Sequence, residues 1–195
     1  MKNAQNLISD NSPVIGKTKF QNNQTPLHIL NYLTISLILY VRDLFNSPKI
    51  VLREAPIKHG ITVLDYGCGP GNYSIAVSEL LDGTGEIFAL DKHPLAIKSL
   101  SKKIEQKNIQ NIGIIQSDCK TGLAPNSVDV VLLYHVFNDL KNPEDVLMEL
   151  HRIIKPSGIL SLSEFDLERI SSNLANSGFF QLEKKMGTTH TFVKK

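Results

Sequence analysis

Three glycines at alternate positions, Gly67, Gly69 and Gly71, lie within VLDYGCGPGNYS (63–74), and the carboxylate of Asp65 precedes the first of them by two residues. Glycine has no β-carbon, so such a backbone can take positive φ and let a ligand approach its amides closely. A dinucleotide loop usually reads GxGxxG, with its third glycine inside the helix and a pyrophosphate at the helix N-terminus. Here the pattern is DxGxGxG. A carboxylate beside the loop suits an ammonium group and repels a pyrophosphate. The residue types and spacing therefore point to an adenosyl ligand with a cationic amino-acid tail.

The triplet can do this only at a strand-to-helix turn, and the flanking pattern supplies one. Apolar, β-rich runs occur at 61–66, 86–91, 112–116, 128–134 and 158–165, with helical patterns over 72–81, 94–107 and 143–154. Asn142 is the expected cap of the last helix, Pro143 its first residue, and KPSG (155–158) the turn that follows it. Strand–helix alternation means parallel strands joined by right-handed crossovers. After a helix over 166–176 and a turn at Gly178, FFQLEKK and THTFVKK follow too closely for anything but an antiparallel pair. The expected fold is α/β: a three-layer, Rossmann-like, doubly wound, mostly parallel seven-stranded sheet with an antiparallel C-terminal hairpin, plus N-terminal helices. Ligands of such sheets bind beyond the carboxyl ends of the strands, where strand order reverses.

The remaining sequence bounds the setting. Residues 1–24, rich in Asn, Gln and Ser, are expected to be flexible; residues 25–57 form an N-terminal helical lid, and 58–195 the ligand-binding domain. Thr25-Pro26 opens a helix to about residue 45, and Ser47-Pro48 opens a short second one. The run 27–41 has no formal charge but falls short of the roughly 20 residues that span a bilayer. Packing on the domain and peripheral membrane contact both remain open for that helix. A net charge of +2, without a basic cluster, argues against nucleic acid. The pairs Lys102-Lys103, Lys184-Lys185 and Lys194-Lys195 read as solvated surface. Cys68 and Cys119 form no CxxC pair, so neither a metal site nor a disulfide is expected. No leader pattern is read in the first 26 residues, and a reducing, cytoplasmic location fits.

VLDYGCGPG resembles motif I of the class I S-adenosylmethionine-dependent methyltransferases, and the similarity runs from about residue 61 to the C-terminus. LHRIIKPSGIL (150–160) is similar to the segment leading into the fifth strand of the ubiquinone/menaquinone-biosynthesis type. This resemblance implies S-adenosylmethionine as cofactor, S-adenosylhomocysteine as product and a small-molecule methyl acceptor. The apolar face of the N-terminal helix hints that the acceptor is hydrophobic. By position, Asp65, Gly67, Cys68, Gly69 and Gly71 would hold the methionine moiety, Asp91 the ribose, and Asp118 with Cys119 the adenine, and Lys92 beside Asp91 would also touch the cofactor. Tyr134 and His135 would border the sulfonium. Each has a plainer reading: Asp91 as a helix cap, Asp118 as a turn residue, Cys119 and Tyr134 as core. His135 is the candidate general base, oriented by Asp139 one turn on, or else half of a surface pair. Glu164 would bind the acceptor or cap the next helix. Two other functions stay open, a catalytically silent adenosyl-ligand-binding protein and a nucleotide-cofactor oxidoreductase, the latter disfavoured by GxGxG.

Overall fold

The structure, a computed structural model, describes residues 47–195 together with two helical positions, Leu30 and Thr34. The expectations for residues 1–24 and for a helix from Pro26 otherwise lie outside the described residues. Among the described residues no helix is long and apolar enough to cross a membrane.

The elements run α1 (Pro48–Leu52), β1 (Thr62–Tyr66), α2 (Asn72–Leu81), β2 (Glu86–Asp91), α3 (Pro94–Lys107) and β3 (Ile112–Gln116). Then follow β4 (Val128–Tyr134), a 3₁₀ turn (Phe137–Asp139), α4 (Pro143–Ile153), β5 (Ile154–Ser163), α5 (Leu167–Asn176), β6 (Phe180–Met186) and β7 (Thr189–Lys194). They build one seven-stranded sheet in the order β3-β2-β1-β4-β5-β7-β6. The first five strands pair in parallel, and β7 enters antiparallel between β5 and β6. Strand order reverses between β1 and β4, so a crevice must open above their carboxyl ends.

Period-two alternation sorts the sheet's side chains onto two faces. On one, Leu64, Phe88, Leu133 and Leu162 pack with Val146, Leu150 and Ile153 of α4 and with Ile170 and Leu174 of α5. On the other, Val63, Ile87, Val130 and Leu132 pack with Ala76, Val77 and Leu81 of α2 and with Val51 and Leu52 of α1. Asp65 is two residues from Val63, so it points into this second layer, toward α2.

Three expectations are corrected. KPSG does not sit between elements: β5 begins at Ile154, and the register jumps from Val128↔Ile154 to Val130↔Ile159, so the turn residues bulge within the strand. Lys155 at the bulge binds Asp129 at 2.7 Å, which holds it against β4. Asn142 occupies the N-cap of α4 without a side-chain capping bond, and Glu144 and Asp145 alone favour that helix end. Of the lysine pairs, Lys102, Lys184, Lys185 and Lys195 are exposed as expected, whereas Lys103 and Lys194 are half-buried, and Lys194 donates to Asn126 and to the carbonyl of Ile154.

Candidate active site

The glycine turn after β1 is held from two sides. Gly67, Gly69 and Gly71 take φ of +79°, +53° and +84°, conformations that a side chain would strain. The amides of Gly67 and Cys68 both donate to the carbonyl of Leu90, at 2.8 and 2.9 Å, stitching the turn to β2. Asp91 continues the seam: Oδ2 accepts from the Gly69 amide at 2.9 Å and Oδ1 from the His93 amide at 2.7 Å. From α3, Lys103 donates to the carbonyl of Pro70 at 2.8 Å and to Asn72 Oδ1 at 3.0 Å. Reading Lys103 as surface missed this brace. The signal was there, because Lys103 lies one helical turn beyond Leu100 on the buried stripe of α3.

Asp65 is 2% exposed, behind the turn rather than at its mouth. Ser74, the third residue of α2, donates to Oδ2 at 2.5 Å. Burial pushes the carboxyl up to about 6; the Ser74 bond opposes that rise, and the charge of Asp91 adds to it. A cation brought to this carboxylate would offset the cost of ionising it, and an ammonium group is such a cation. Asp65 itself does not line the cleft above the turn, so a positive tail there would act on it across the glycine backbone.

A cleft of about 50 Å³ lies at the switch point, walled by residues 67–70, Asn72, Tyr73, Tyr134 and His135. Cys68 lines it but is chemically quiet, since burial pushes its thiol well up and its Sγ donates to the Gly69 carbonyl at 3.7 Å. Tyr134 is both core and wall: its hydroxyl shares a 2.8 Å hydrogen bond with Ser161, and its ring meets Tyr73 edge-on at 5.0 Å. His135 takes φ of +54°, donates its amide to the carbonyl of Ser163 at 2.8 Å and sets its ring 5.0 Å from that of Phe165. Gly71 does not line the cleft; it begins α2 against Leu100.

The other expected residues stand on neighbouring strand ends. Lys92 follows β2 and reaches the carbonyl of Asp139 at 3.3 Å. Asp118 and Cys119 follow β3, where the Tyr66 hydroxyl donates to the Asp118 carbonyl at 2.8 Å. Their loop is anchored downstream by Glu149, which accepts from both the amide and the hydroxyl of Thr121, at 2.9 and 2.6 Å. Arg152 completes the anchor through Glu149 and the carbonyl of Leu123. Glu164 is not a cap of the next helix, whose N-cap position is Asp166: its Oε1 accepts from the Phe137 amide at 2.8 Å, capping the turn that follows His135.

Over residues 57–191 the sequence matches a family described as a methyltransferase domain. The chain belongs to the methyltransferase-domain family. The match takes in every site residue from Asp65 to Glu164. Among curated relatives, a demethylmenaquinone methyltransferase of Geobacillus stearothermophilus is 29% identical over 112 residues, 57% of this chain and 48% of that protein. The chain thus spans about half the length of the curated relatives it matches. Among solved structures, a putative S-adenosyl-L-methionine-dependent methyltransferase of Methanococcus maripaludis superposes with a TM-score of 0.71 at 19% identity, covering 92% of this chain and 97% of its own. A SAM-dependent methyltransferase of Aquifex aeolicus gives a TM-score of 0.66 at 24% identity over 75% of this chain and 87% of its own. At such identities the two structures speak for the fold.

A buried acid in a methyltransferase domain has a consequence for stability that is independent of any ligand. The carboxyl of Asp65 rises from 3.8 to about 6 on folding, so between those values the native state holds the proton more tightly than the unfolded chain does. Stability then falls as pH rises through that window and stays lower above it, by an amount on the order of 2–3 kcal/mol. Asp65→Asn removes the ionisation cost but weakens the Ser74 bond. We expect it to stabilise the ligand-free domain by about 1 kcal/mol at pH 8 and not at pH 4, as read by urea unfolding. An equal effect at both pH values would show that Asp65 does not titrate in this window.

Proposed function

We propose that this chain is an S-adenosylmethionine-dependent methyltransferase of a small, apolar acceptor, with residues 58–195 as the catalytic unit. The observation that carries the reading is the glycine turn between two carboxylates, Asp65 buried behind it and Asp91 bonded to its middle glycine. When bound, S-adenosylmethionine supplies a methyl carbon activated by its sulfonium. The chain's own residues bind and align. Asp65 offsets the ammonium charge, and Asp91, whose oxygens keep free lone pairs, accepts from the ribose hydroxyls. The loop of Asp118 and Cys119 would border the adenine, and Lys92, next to Asp91, would contact the cofactor from the end of β2. Tyr134 and His135 border the reacting end. Aligning two reactants is worth roughly 7–11 kcal/mol, so little further chemistry is asked of the protein. Where an acceptor must lose a proton, His135 is the base in reach of the cleft.

The acceptor class draws support from the relatives named demethylmenaquinone methyltransferases and from the apolar Phe165 beside His135. Glu54 Oε2 accepts from the Thr188 amide and the Thr189 hydroxyl, each at 3.0 Å. That bond fastens the chain just after α1 to the turn between β6 and β7. Calorimetric titration tests the reading: S-adenosylhomocysteine is expected to saturate the protein and NAD to give no heat. Saturable NAD binding without S-adenosylhomocysteine binding would instead make the domain a dinucleotide binder.

A further inference from the structure

Among the described residues, those of the crossover from β3 to β4 (117–127) carry no helix. Parallel strands are usually joined through one, so this loop must be held in place by side chains instead. Its second half is held from α4 by Glu149 and Arg152, through Thr121 and the carbonyl of Leu123. Its first half, which carries the exposed Asp118, is held from the sheet. The Ser117 amide donates to the carbonyl of Asp91 at 3.2 Å, and the Tyr66 hydroxyl to the carbonyl of Asp118 at 2.8 Å.

The second of those bonds spans the sheet. Tyr66 ends β1, and β2 lies between β1 and β3, so the phenol crosses the end of β2 to reach the loop. Parity puts Tyr66 with Leu64 on the face that packs against α4, opposite Asp65. A buried parallel strand asks only for apolar bulk there, and Leu90 and Leu133, the partners of Tyr66 on β2 and β4, supply just that. Tyr66 adds a hydroxyl at 3% exposure, and a buried phenol needs a hydrogen-bond partner. The partner here is the main chain of an exposed loop residue. Burial pushes the phenol well up, with Cys119 and Asp118 adding to the rise, so the group stays a donor.

We infer that Tyr66 is a positioning residue for recognition of the adenine amino group: it fixes the main chain of Asp118 so that the carboxylate stands where that group arrives. The inference rests on the S-adenosylmethionine reading and deepens it. Tyr66 is also the residue before Gly67, so one strand end sets the glycine turn, the carboxylate behind it and the base-reading loop relative to one another. Without that tether the ligand itself would have to order the loop, at a cost to both affinity and selectivity.

The test titrates the full chain calorimetrically with S-adenosylhomocysteine and with its 6-deamino analogue, which carries hydrogen in place of the amino group. The wild type is expected to prefer S-adenosylhomocysteine by about tenfold to a hundredfold, the range of a hydrogen bond to a charged group. Tyr66→Phe should cut the preference to about threefold or less while affinity for the analogue stays within about twofold of wild type. Asp118→Ala should remove the preference, and Tyr66→Phe made on top of it should change nothing further. Tyr66→Phe keeps the buried ring, and urea unfolding verifies that it is folded. A fall in both affinities alike, or an unchanged preference, makes Tyr66 a packing residue and overturns the inference, as does a further loss in the double variant. A crystal structure of the wild type with S-adenosylhomocysteine gives a second measurement that needs no variant. The amino group is expected within hydrogen-bond distance of the Asp118 carboxylate with the Tyr66 bond intact, and a broken bond or an amino group elsewhere overturns the inference. A wild type that binds both ligands equally also overturns it and leaves the cofactor reading standing. Failure of S-adenosylhomocysteine to bind at all is a separate result, and it brings down the methyltransferase reading as well.

Discussion

Replacing Asp91 with alanine is expected to weaken S-adenosylhomocysteine binding by about two orders of magnitude, ~2.7 kcal/mol, while the domain still folds. Two losses add up to that figure. The carboxylate that would accept the ribose hydroxyls disappears, and so does the 2.9 Å bond that holds the Gly69 amide. Freed of that bond, the glycine turn must be ordered by the ligand itself, and the ordering reduces affinity further. Stability should drop by about 1–3 kcal/mol, because the ligand-free fold loses the bonds to both the Gly69 and the His93 amides. Asp91→Asn keeps one oxygen and should fall between, about tenfold weaker than wild type. The check is calorimetric titration beside urea unfolding of each variant. A folded alanine variant that binds as tightly as wild type would falsify the ribose assignment and move the cofactor elsewhere along the sheet edge.

Asp91 also shows what could be read from sequence. Its place at the end of the run EIFALD was legible because a buried parallel strand is a short apolar block, and the block ends where the sheet meets solvent. For the same reason β2, β3, β4, α2 and α3 have the expected bounds, and the antiparallel finish followed from the shortness of the link between β6 and β7. The double duty of Asp91 was not legible. Ribose contact and helix capping stood as alternatives in the sequence, whereas the structure has one carboxylate bonding both the turn and the residue before α3.

Most of what the sequence hid is side-chain partnership across long separations. Lys103 braces a carbonyl 33 residues earlier, and Glu54 bonds a turn 134 residues later. Local pattern carries no information about such pairs until the topology brings their elements together. Asp65 is a subtler case. The sequence put it at the mouth of the loop, because a residue at the end of a strand looks terminal in sequence. Parity with Val63 sends it beneath α2 instead, and Ser74 is the residue that meets it there. Of the two readings of Glu164, acceptor contact or a cap for the helix after it, the second fails because the amide it accepts from belongs to the turn after the neighbouring strand. At β5 a turn signal and a strand coincide, since a bulge consumes the residues of KPSG without ending the pairing with β4.

The second large effect concerns Gly67, which lines the cleft and is also packed against a side chain behind it. A β-carbon added at Gly67 would sit 2.5 Å from Cγ2 and 2.8 Å from Cβ of Val136, the residue after His135. The crevice between β1 and β4 is thus closed at its base by two main chains separated by one side chain. Gly67→Ala incurs about 1 kcal/mol for an alanine at positive φ and about 1–3 kcal/mol for overpacking, a total of roughly 2–4 kcal/mol. Gly178→Ala separates the two parts, because Gly178 has φ of +86° with nothing within 4 Å of the added carbon. It should lose only the first, about 1 kcal/mol. Val136→Ala made together with Gly67→Ala opens the space and should return about 1–2 kcal/mol relative to the sum of the single changes, a coupling that a double-mutant cycle in urea reads directly. If Gly67→Ala is no worse than Gly178→Ala, or if the two changes simply add, then Val136 gives way freely. The floor of the crevice would in that case be compliant, and alignment of the reactants would have to come from the ligand side.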